Sequence, residues 1–341
     1  MKKIELSFCI PTYNRAQSIY KLVTDILRCN DSNIEVVVLD NGSTDETLSI
    51  LRAIKDERLR VYSNGENKGV FYNMLHVINK GRGKYVVVSL DKDHVDSNAI
   101  SEFKLFLLRH TGLACGYCEY SSKAQIEFEL YPKGFQAVEK IAYIGHHPTG
   151  CFFKNELLKS INITERFADY DFVGHFALDF VFAELCLMGE GAIYHKPIFS
   201  PETANMAAKQ KSFGTNANLE EAFFSPQGRL KMAVNFSKHI NALPLMQKEK
   251  DSLISDRFVQ GIVTATRGYQ SIMKNNELCI HYHMESRDVG GKEMVAIGIN
   301  FYEQFINELA DVAGSTSFAK LKFRTYIFSR LFQKLLQRIF R

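Results

Sequence analysis

Two stretches rich in β-branched residues each run straight into a carboxylate. Ile34-Glu35-Val36-Val37-Val38-Leu39 ends at Asp40, and Tyr85-Val86-Val87-Val88-Ser89-Leu90 ends at Asp91. Runs this short and this apolar read as strands buried on both faces. An acid at the carboxyl end of such a strand sits on the edge where open α/β sheets bind their ligands. Leu6-Ser7-Phe8-Cys9-Ile10, running into Pro11-Thr12-Tyr13-Asn14-Arg15, is a third edge of the same kind. Three such edges predict a nucleotide site with a metal beside it.

The spacing between these edges supports one sheet. Strand 6–10 precedes a helix near 16–29, strand 34–40 a helix near 45–55, strand 59–63 a helix near 69–80, and strand 85–90 a helix near 97–109. Strict alternation of this kind implies a mostly parallel sheet with helices on both faces. Beyond Gly112 short strands are expected near 113–120 and 125–130, then a helix near 134–142. A strand at Cys151-Phe152-Phe153, a buried helix over 175–188 stopped by Gly189 and a strand over 192–199 follow. Past Pro201 the chain turns polar to about Gly228 and then reads as helical to its end. At 341 residues, 46% of them hydrophobic, there is enough for one large core and an appendage.

Four motifs, in order, resemble those of the family 2 glycosyltransferases, an inverting group with the GT-A fold. They are Pro11-Thr12-Tyr13-Asn14-Arg15, Asp40-Asn41-Gly42-Ser43-Thr44-Asp45, Asn67-Lys68-Gly69 at a helix start, and the D-x-D-like Asp91-Lys92-Asp93. The resemblance is clear over about residues 4–110 and fades past 200. It implies an α/β GT-A fold, Rossmann-like with a mostly parallel sheet and flanking helices, plus a C-terminal helical extension. The expected division is a catalytic domain over 1–200, a lid loop and helical subdomain over 201–315, and a basic amphipathic helix over 316–341.

The chemistry follows from the leaving group. Transfer from a nucleotide-diphosphate sugar builds negative charge on the departing diphosphate, and a divalent cation stabilises it. Mn²⁺ or Mg²⁺ takes one or two carboxylates and completes its shell with water and substrate phosphates. Asp93 is the expected principal ligand. The resemblance implies that Asp91 touches the ribose or a metal-bound water. His94 stands where many relatives carry a third acid, and either joins the metal or bonds a phosphate. Pro11, Thr12, Tyr13, Arg15, Asp40, Asn41, Asn67, Gly69, Asp91 and Lys92 are the expected donor-binding residues, with Asp40 placed to accept from a base imide N–H. The plain alternative is a set of solvated, helix-capping turns, in which Gly42 only supplies positive φ.

Inversion also needs a base for the acceptor hydroxyl. The family places it at the start of a late helix, often in a Glu-Asp pair. That pair is missing from Phe172-Val173-Gly174-His175-Phe176-Ala177-Leu178-Asp179. Asp179 is the expected base, with His175 one turn earlier assisting it or held as a core histidine. His147 and Asp171 stand next in line. His146 and His147 precede the strand Cys151-Phe152-Phe153, where the resemblance implies an acceptor-facing loop; either is a candidate contact to acceptor or diphosphate, the plain alternative being an ordinary loop. His195 is a candidate contact to metal or diphosphate, and Lys209 and Lys211 are candidate lid residues.

The remaining features bound the setting. Seven scattered cysteines fit a reducing compartment, Cys115-Gly116-Tyr117-Cys118 lacks the second pair a zinc site needs, and no apolar run reaches membrane-spanning length. No signal peptide is recognisable at the N-terminus. From Phe318 to Arg341 the bases Lys320, Lys322, Arg324, Arg330, Lys334, Arg338 and Arg341 meet no acid, while apolar residues recur at 328, 331, 332, 335, 336 and 339. A helix with one apolar and one cationic stripe suits an anionic membrane surface or, alternatively, docking on its own domain or a second subunit. The expected partners are thus a nucleotide-sugar donor, most simply UDP-linked, and a glycan acceptor, polyprenyl-diphosphate-linked if the tail binds membrane. A homo-oligomer is compatible and nucleic acid is not expected. The expected location is cytoplasmic, peripheral at the inner face of the cell membrane, in surface polysaccharide assembly. Two alternatives are a non-catalytic glycan-binding or scaffold protein of the same fold and a sugar nucleotidyltransferase. The latter lacks here its Gly-rich phosphate loop.

Overall fold

The computed structural model describes residues 3–120, 124–200, 222–281 and 284–312, without the side chains of His175, His281 and 310–312. The expected lid residues Lys209 and Lys211 and the basic helix over 316–341 lie outside the described residues. The chain divides into two compact units, Met1–Thr203 and Ala204–Arg341.

The first unit is a sheet with the strand order β3-β2-β1-β4-β8-β6-β9-β7. Its strands are β1 (Leu6–Thr12), β2 (Ile34–Asp40), β3 (Leu59–Ser63), β4 (Tyr85–Val88), β6 (Leu113–Cys118), β7 (Phe128–Tyr131), β8 (Cys151–Lys154) and β9 (Glu190–Tyr194). β1 pairs in parallel with both β2 and β4, and β2 with β3. β8 runs antiparallel between β4 and β6, and β7 antiparallel on β9. The result is the mostly parallel GT-A sheet. β1 and β2 are buried along their whole length, as strands covered on both faces must be.

Helix α1 (Ala16–Leu27) shows how the cover is built. Ile19, Leu22, Val23 and Ile26 recur at helical spacing, are buried, and join Phe8, Ile10, Val36 and Val38 in one core cluster. Each such side chain contributes about 1.5–3 kcal/mol when fully buried. α2 (Thr47–Ala53), α3 (Val70–Asn79) and α4 (Ile100–Arg109) follow their strands as expected. Three departures matter. The expected strand over 192–199 splits into β9 and a short β10 (Phe199–Ser200), because Pro197 interrupts the ladder; β10 pairs instead with β5 (His94–Val95) just past the D-x-D-like turn. After the expected helix α5 (Phe135–Ile141), the short helices α6 (Asn155–Ile161), α7 (Ile163–Arg166) and α8 (Tyr170–Val173) fill 155–173. The buried helix begins late, as α9 (Ala177–Cys186), after a 3₁₀ turn at Gly174–Phe176.

The second unit is helical where it is described. Pro226–Ala242 opens with a Ser225 cap, whose Oγ accepts from Gly228 N–H at 2.9 Å. Gln247–Val263 runs through a π-helical turn, Thr264–Gly268, into Tyr269–Lys274, and Gly291–Val312 closes the described part. Phe258, Phe301 and Phe305 form its core. No described helix is long and apolar enough to cross a membrane.

Candidate active site

The chain winds β1, β2, β3 to one side and then returns to place β4 on the other side of β1. The crevice between the carboxyl ends of β1 and β4 is therefore the switch point of the sheet. Thr12, the last residue of β1, donates its hydroxyl to Asp91 Oδ2 at 2.8 Å. Arg15 Nε lies 3.5 Å from Asp91 Oδ1. Burial pushes the Asp91 carboxyl up to about 6, against the pull of Arg15 and of the Thr12 hydrogen bond. Pro11 is buried within β1, whereas Tyr13 is 40% exposed beside this crevice.

The neighbouring turn is laced to the first. Asn14, at φ 51°, donates its N–H to Ser43 Oγ at 2.8 Å, and its Oδ1 accepts from Thr44 N–H at 2.8 Å. Asp40 is fully buried and accepts from the N–H groups of Gly42 and Ser43 and from Ser63 Oγ at 3.0 Å. The carboxylate expected to meet a nucleobase thus holds its own turn. Gly42 has φ +76°, and a Cβ there would come within 2.6 Å of the Glu66 backbone, so only glycine fits. Asn41 and Asn67 bond each other at 2.8 Å, and Asn67 Oδ1 also accepts from Gly69 N–H at 2.9 Å. This network ties the Asn67-Lys68-Gly69 segment to the end of β2.

Beyond Asp91 the acids are held by a distant segment. Thr149 accepts Leu90 N–H at 2.8 Å and donates its hydroxyl to Asp93 Oδ2. His147 Nδ1 stands 3.7 Å from the same oxygen and contacts the Tyr120 hydroxyl. Burial pulls the His147 imidazole down and the Asp93 charge partly restores it. Lys92 is half-buried between the two acids in sequence. His94 lies in β5, and its Nδ1 accepts from the Lys21 ammonium at 3.2 Å, which takes up the lone pair a metal would use. Among the described residues no group of three or more His, Cys, Asp or Glu side chains is arranged to hold an ion. The donor set still fits Mn²⁺ or Mg²⁺. Asp91 and Asp93 offer hard carboxylate oxygens at one strand end, both buried, and such ions need only one or two protein ligands beside substrate phosphates.

Asp179 lies in the first turn of α9 and is 1% exposed. Its Oδ1 accepts from Ile144 N–H at 3.0 Å, Gly145 N–H at 3.3 Å and His146 Nδ1 at 3.1 Å. The loop that makes these contacts continues to His147 and Thr149, so one short segment joins Asp179 at one end to Asp93 at the other. The side chain of His175 lies outside the described residues, and Asp171 is exposed. His195 is held between Glu119 at 2.8 Å and Glu129 at 3.0 Å. Cys115 and Cys118 are buried in β6. Thr149 and Tyr120 were invisible to sequence reasoning, since neither belongs to an acidic turn or a motif.

Residues 7–153 match the family model described as glycosyl transferase family 2. A Campylobacter jejuni GalNAc(5)-diNAcBac-PP-undecaprenol beta-1,3-glucosyltransferase is 24% identical over 172 residues, which is 48% of this chain and 56% of the relative. An Escherichia coli UDP-Glc:alpha-D-GlcNAc-diphosphoundecaprenol beta-1,3-glucosyltransferase is 33% identical over 88 residues, 26% of this chain and 35% of the relative. The matches therefore span about a third to just over half of these relatives' length. The crystal structure of S. aureus TarS 1–349 in complex with UDP-GlcNAc superposes with a TM-score of 0.54 at 16% identity, covering 92% of this chain and 93% of that one. Residues 7–153 are a glycosyl transferase family 2 region, carried on a GT-A fold.

Proposed function

We propose that the chain transfers a sugar from a nucleotide-diphosphate donor, a UDP-sugar, to a glycan acceptor with inversion, in surface polysaccharide or glycoconjugate assembly. The observation that carries this reading is the joined pair of edges. Asp91 is tied to Thr12 and Arg15 across the switch point, and Asp93 and Asp179 are bound to the two ends of one loop. A donor diphosphate belongs at the first edge and an acceptor hydroxyl at Asp179. The names of the Campylobacter and Escherichia relatives, both glucosyltransferases on undecaprenol-diphosphate-linked glycans, support an acceptor of that class.

In this reading Asp93 and Asp91 hold Mn²⁺ or Mg²⁺, with His94 left to Lys21. The ion's chemistry is to neutralise charge on the leaving diphosphate. Thr12, Tyr13, Arg15 and Lys92 line the donor side, and Pro11, Asp40, Asn41, Asn67 and Gly69 shape its floor. Asp179 accepts the proton of the attacking hydroxyl, with His175 near it in sequence. Its Oδ1 is occupied, and no hydrogen bond reaches Oδ2 among the described residues. The basic residues over 318–341 would keep the enzyme at an anionic membrane surface beside a polyprenyl-linked acceptor, each adding about 1 kcal/mol of attraction.

Purified full-length protein incubated with a panel of nucleotide sugars and Mn²⁺ tests the reading. UDP release from one donor, dependent on the ion, is expected, and Asp179→Asn should bind that donor normally but turn it over far more slowly. Undiminished turnover in Asp179→Asn would move the base elsewhere. Deleting residues 318–341 should release the protein from anionic liposomes while donor hydrolysis persists; equal co-sedimentation would refute the membrane role.

A further inference from the structure

His146 makes one hydrogen bond and is denied a second. Its Nδ1 lies 3.1 Å from Asp179 Oδ1, and its side chain is 5% exposed. Its Nε2 is buried with no hydrogen-bond partner among the described residues. The ring packs against Tyr117 at 4.4 Å and Phe182 at 4.8 Å between centroids. A carboxylate oxygen can only accept. The geometry therefore places a hydrogen on Nδ1, facing the carboxylate. A second proton on Nε2 would bury a charged N–H with no partner among the described residues to receive it, which is strongly unfavourable.

An orphaned nitrogen in an aromatic slot costs stability, and phenylalanine would fill that slot without it. What histidine adds is the Nδ1–H. The same Asp179 oxygen receives the N–H groups of Ile144 and Gly145, presented by a turn with φ 60° at Tyr143 and 75° at Gly145. All three donors of the described set converge on Oδ1.

We infer that His146 is a positioning residue for proton transfer: its neutral Nδ1–H, with two backbone N–H groups, pins Asp179 through Oδ1 and leaves Oδ2 as the oxygen that takes the acceptor proton. The inference rests on the reading of Asp179 as the base. In the step, the acceptor O–H bond breaks and its proton goes to Oδ2. The freed electron pair on oxygen forms the new bond to the anomeric carbon as the sugar–phosphate bond breaks and its pair leaves with the diphosphate. A neutral donor orients the carboxylate without neutralising it, whereas a cation in the same place would blunt it as a base. Among the described residues, His146 and the buried Cys151 are titratable side chains beside Asp179.

Three substitutions separate orientation from packing. His146→Asn keeps an amide N–H near the Nδ1 position, His146→Gln moves it to the Nε2 position, and His146→Phe keeps the ring but has no donor. The expected result is that His146→Phe stays folded and binds UDP with Mn²⁺ normally, yet loses about tenfold to a hundredfold in kcat. His146→Asn should restore most of that loss and His146→Gln should not. A packing role predicts the reverse order, and full turnover in His146→Phe would overturn the inference. ¹⁵N-histidine NMR of the full chain gives a readout independent of turnover: one histidine should show the neutral Nδ1–H signature and shift in Asp179→Asn. Absence of that signature also overturns the inference. Should Asp179→Asn keep full turnover, the base reading falls separately, while the signature still reports whether His146 holds that carboxylate.

Discussion

Asp40 and Asp91 each close a run of buried, largely β-branched residues, and in sequence the two turns look alike. The donors around them differ. Asp40 is satisfied locally, by Gly42 and Ser43 in its own turn and by Ser63 on the next strand. Asp91 and its neighbour Asp93 are satisfied from far away, by Thr12 and by Thr149 respectively. An acid whose partners are its own turn builds a loop. One held by residues far along the chain, as Asp91 is by Thr12 and Arg15 and Asp93 by Thr149, is fixed at the sheet edge from outside its own turn. On the proposed reading the first turn serves mainly as scaffold and the second as the chemical edge.

Substitution at the second turn should give the largest effect. Asp93→Ala is expected to lower transfer by about a thousandfold, the scale of removing one stabiliser of transition-state charge, with little change in melting temperature. Steady-state UDP release and a thermal melt measured together check both halves. At the first turn the order should invert. Asp40→Ala strands two backbone N–H groups and a hydroxyl in a buried site, a loss of about 2–4 kcal/mol, read as a fall in denaturant midpoint. If Asp40→Ala unfolds no more easily than the parent, the division of labour drawn here is wrong.

Much of this division was hidden from sequence. The sheet from β1 to α4 was legible because each strand is local, apolar and followed by a turn and a helix. The antiparallel insertion of β8 between β4 and β6 was not, since strand pairing is decided by partners far along the chain. Pro197 divided the last expected strand, and β10 then paired beside the D-x-D-like turn. The acids at 91, 93 and 179 were found from strand edges and from resemblance. Thr149 as the holder of Asp93, and the bond from His146 to Asp179, were not, because nothing local marks a threonine or histidine that reaches a carboxylate more than thirty residues away.

Thr149→Val sharpens the comparison by removing one hydroxyl at nearly constant volume. It should weaken Mn²⁺-dependent UDP binding by about tenfold and leave metal-free binding alone, with Thr149→Ser close to the parent. Titration of Mn²⁺ at fixed UDP checks it; equal midpoints would mean that Asp93 needs no such support.

The smallest effect lies outside both turns. Burial lowers the His195 pKa, but the hydrogen bonds its ring donates to Glu119 and Glu129 more than compensate and raise it above the usual value of 6.5. A group raised on folding adds stability that is complete below its unfolded value and fades as pH rises through the folded one. Stability should therefore decline on crossing that window upward, and His195→Gln should flatten the slope. Denaturant titrations at several pH values decide this, and an unchanged slope in the variant would assign the decline to another group.

The account stands most directly on calorimetric titration of UDP into the parent, Asp93→Asn and Asp40→Asn, each with and without Mn²⁺. It predicts that Mn²⁺ strengthens UDP binding in the parent and in folded Asp40→Asn but not in Asp93→Asn. Equal, metal-independent affinity in the parent and Asp93→Asn would contradict it.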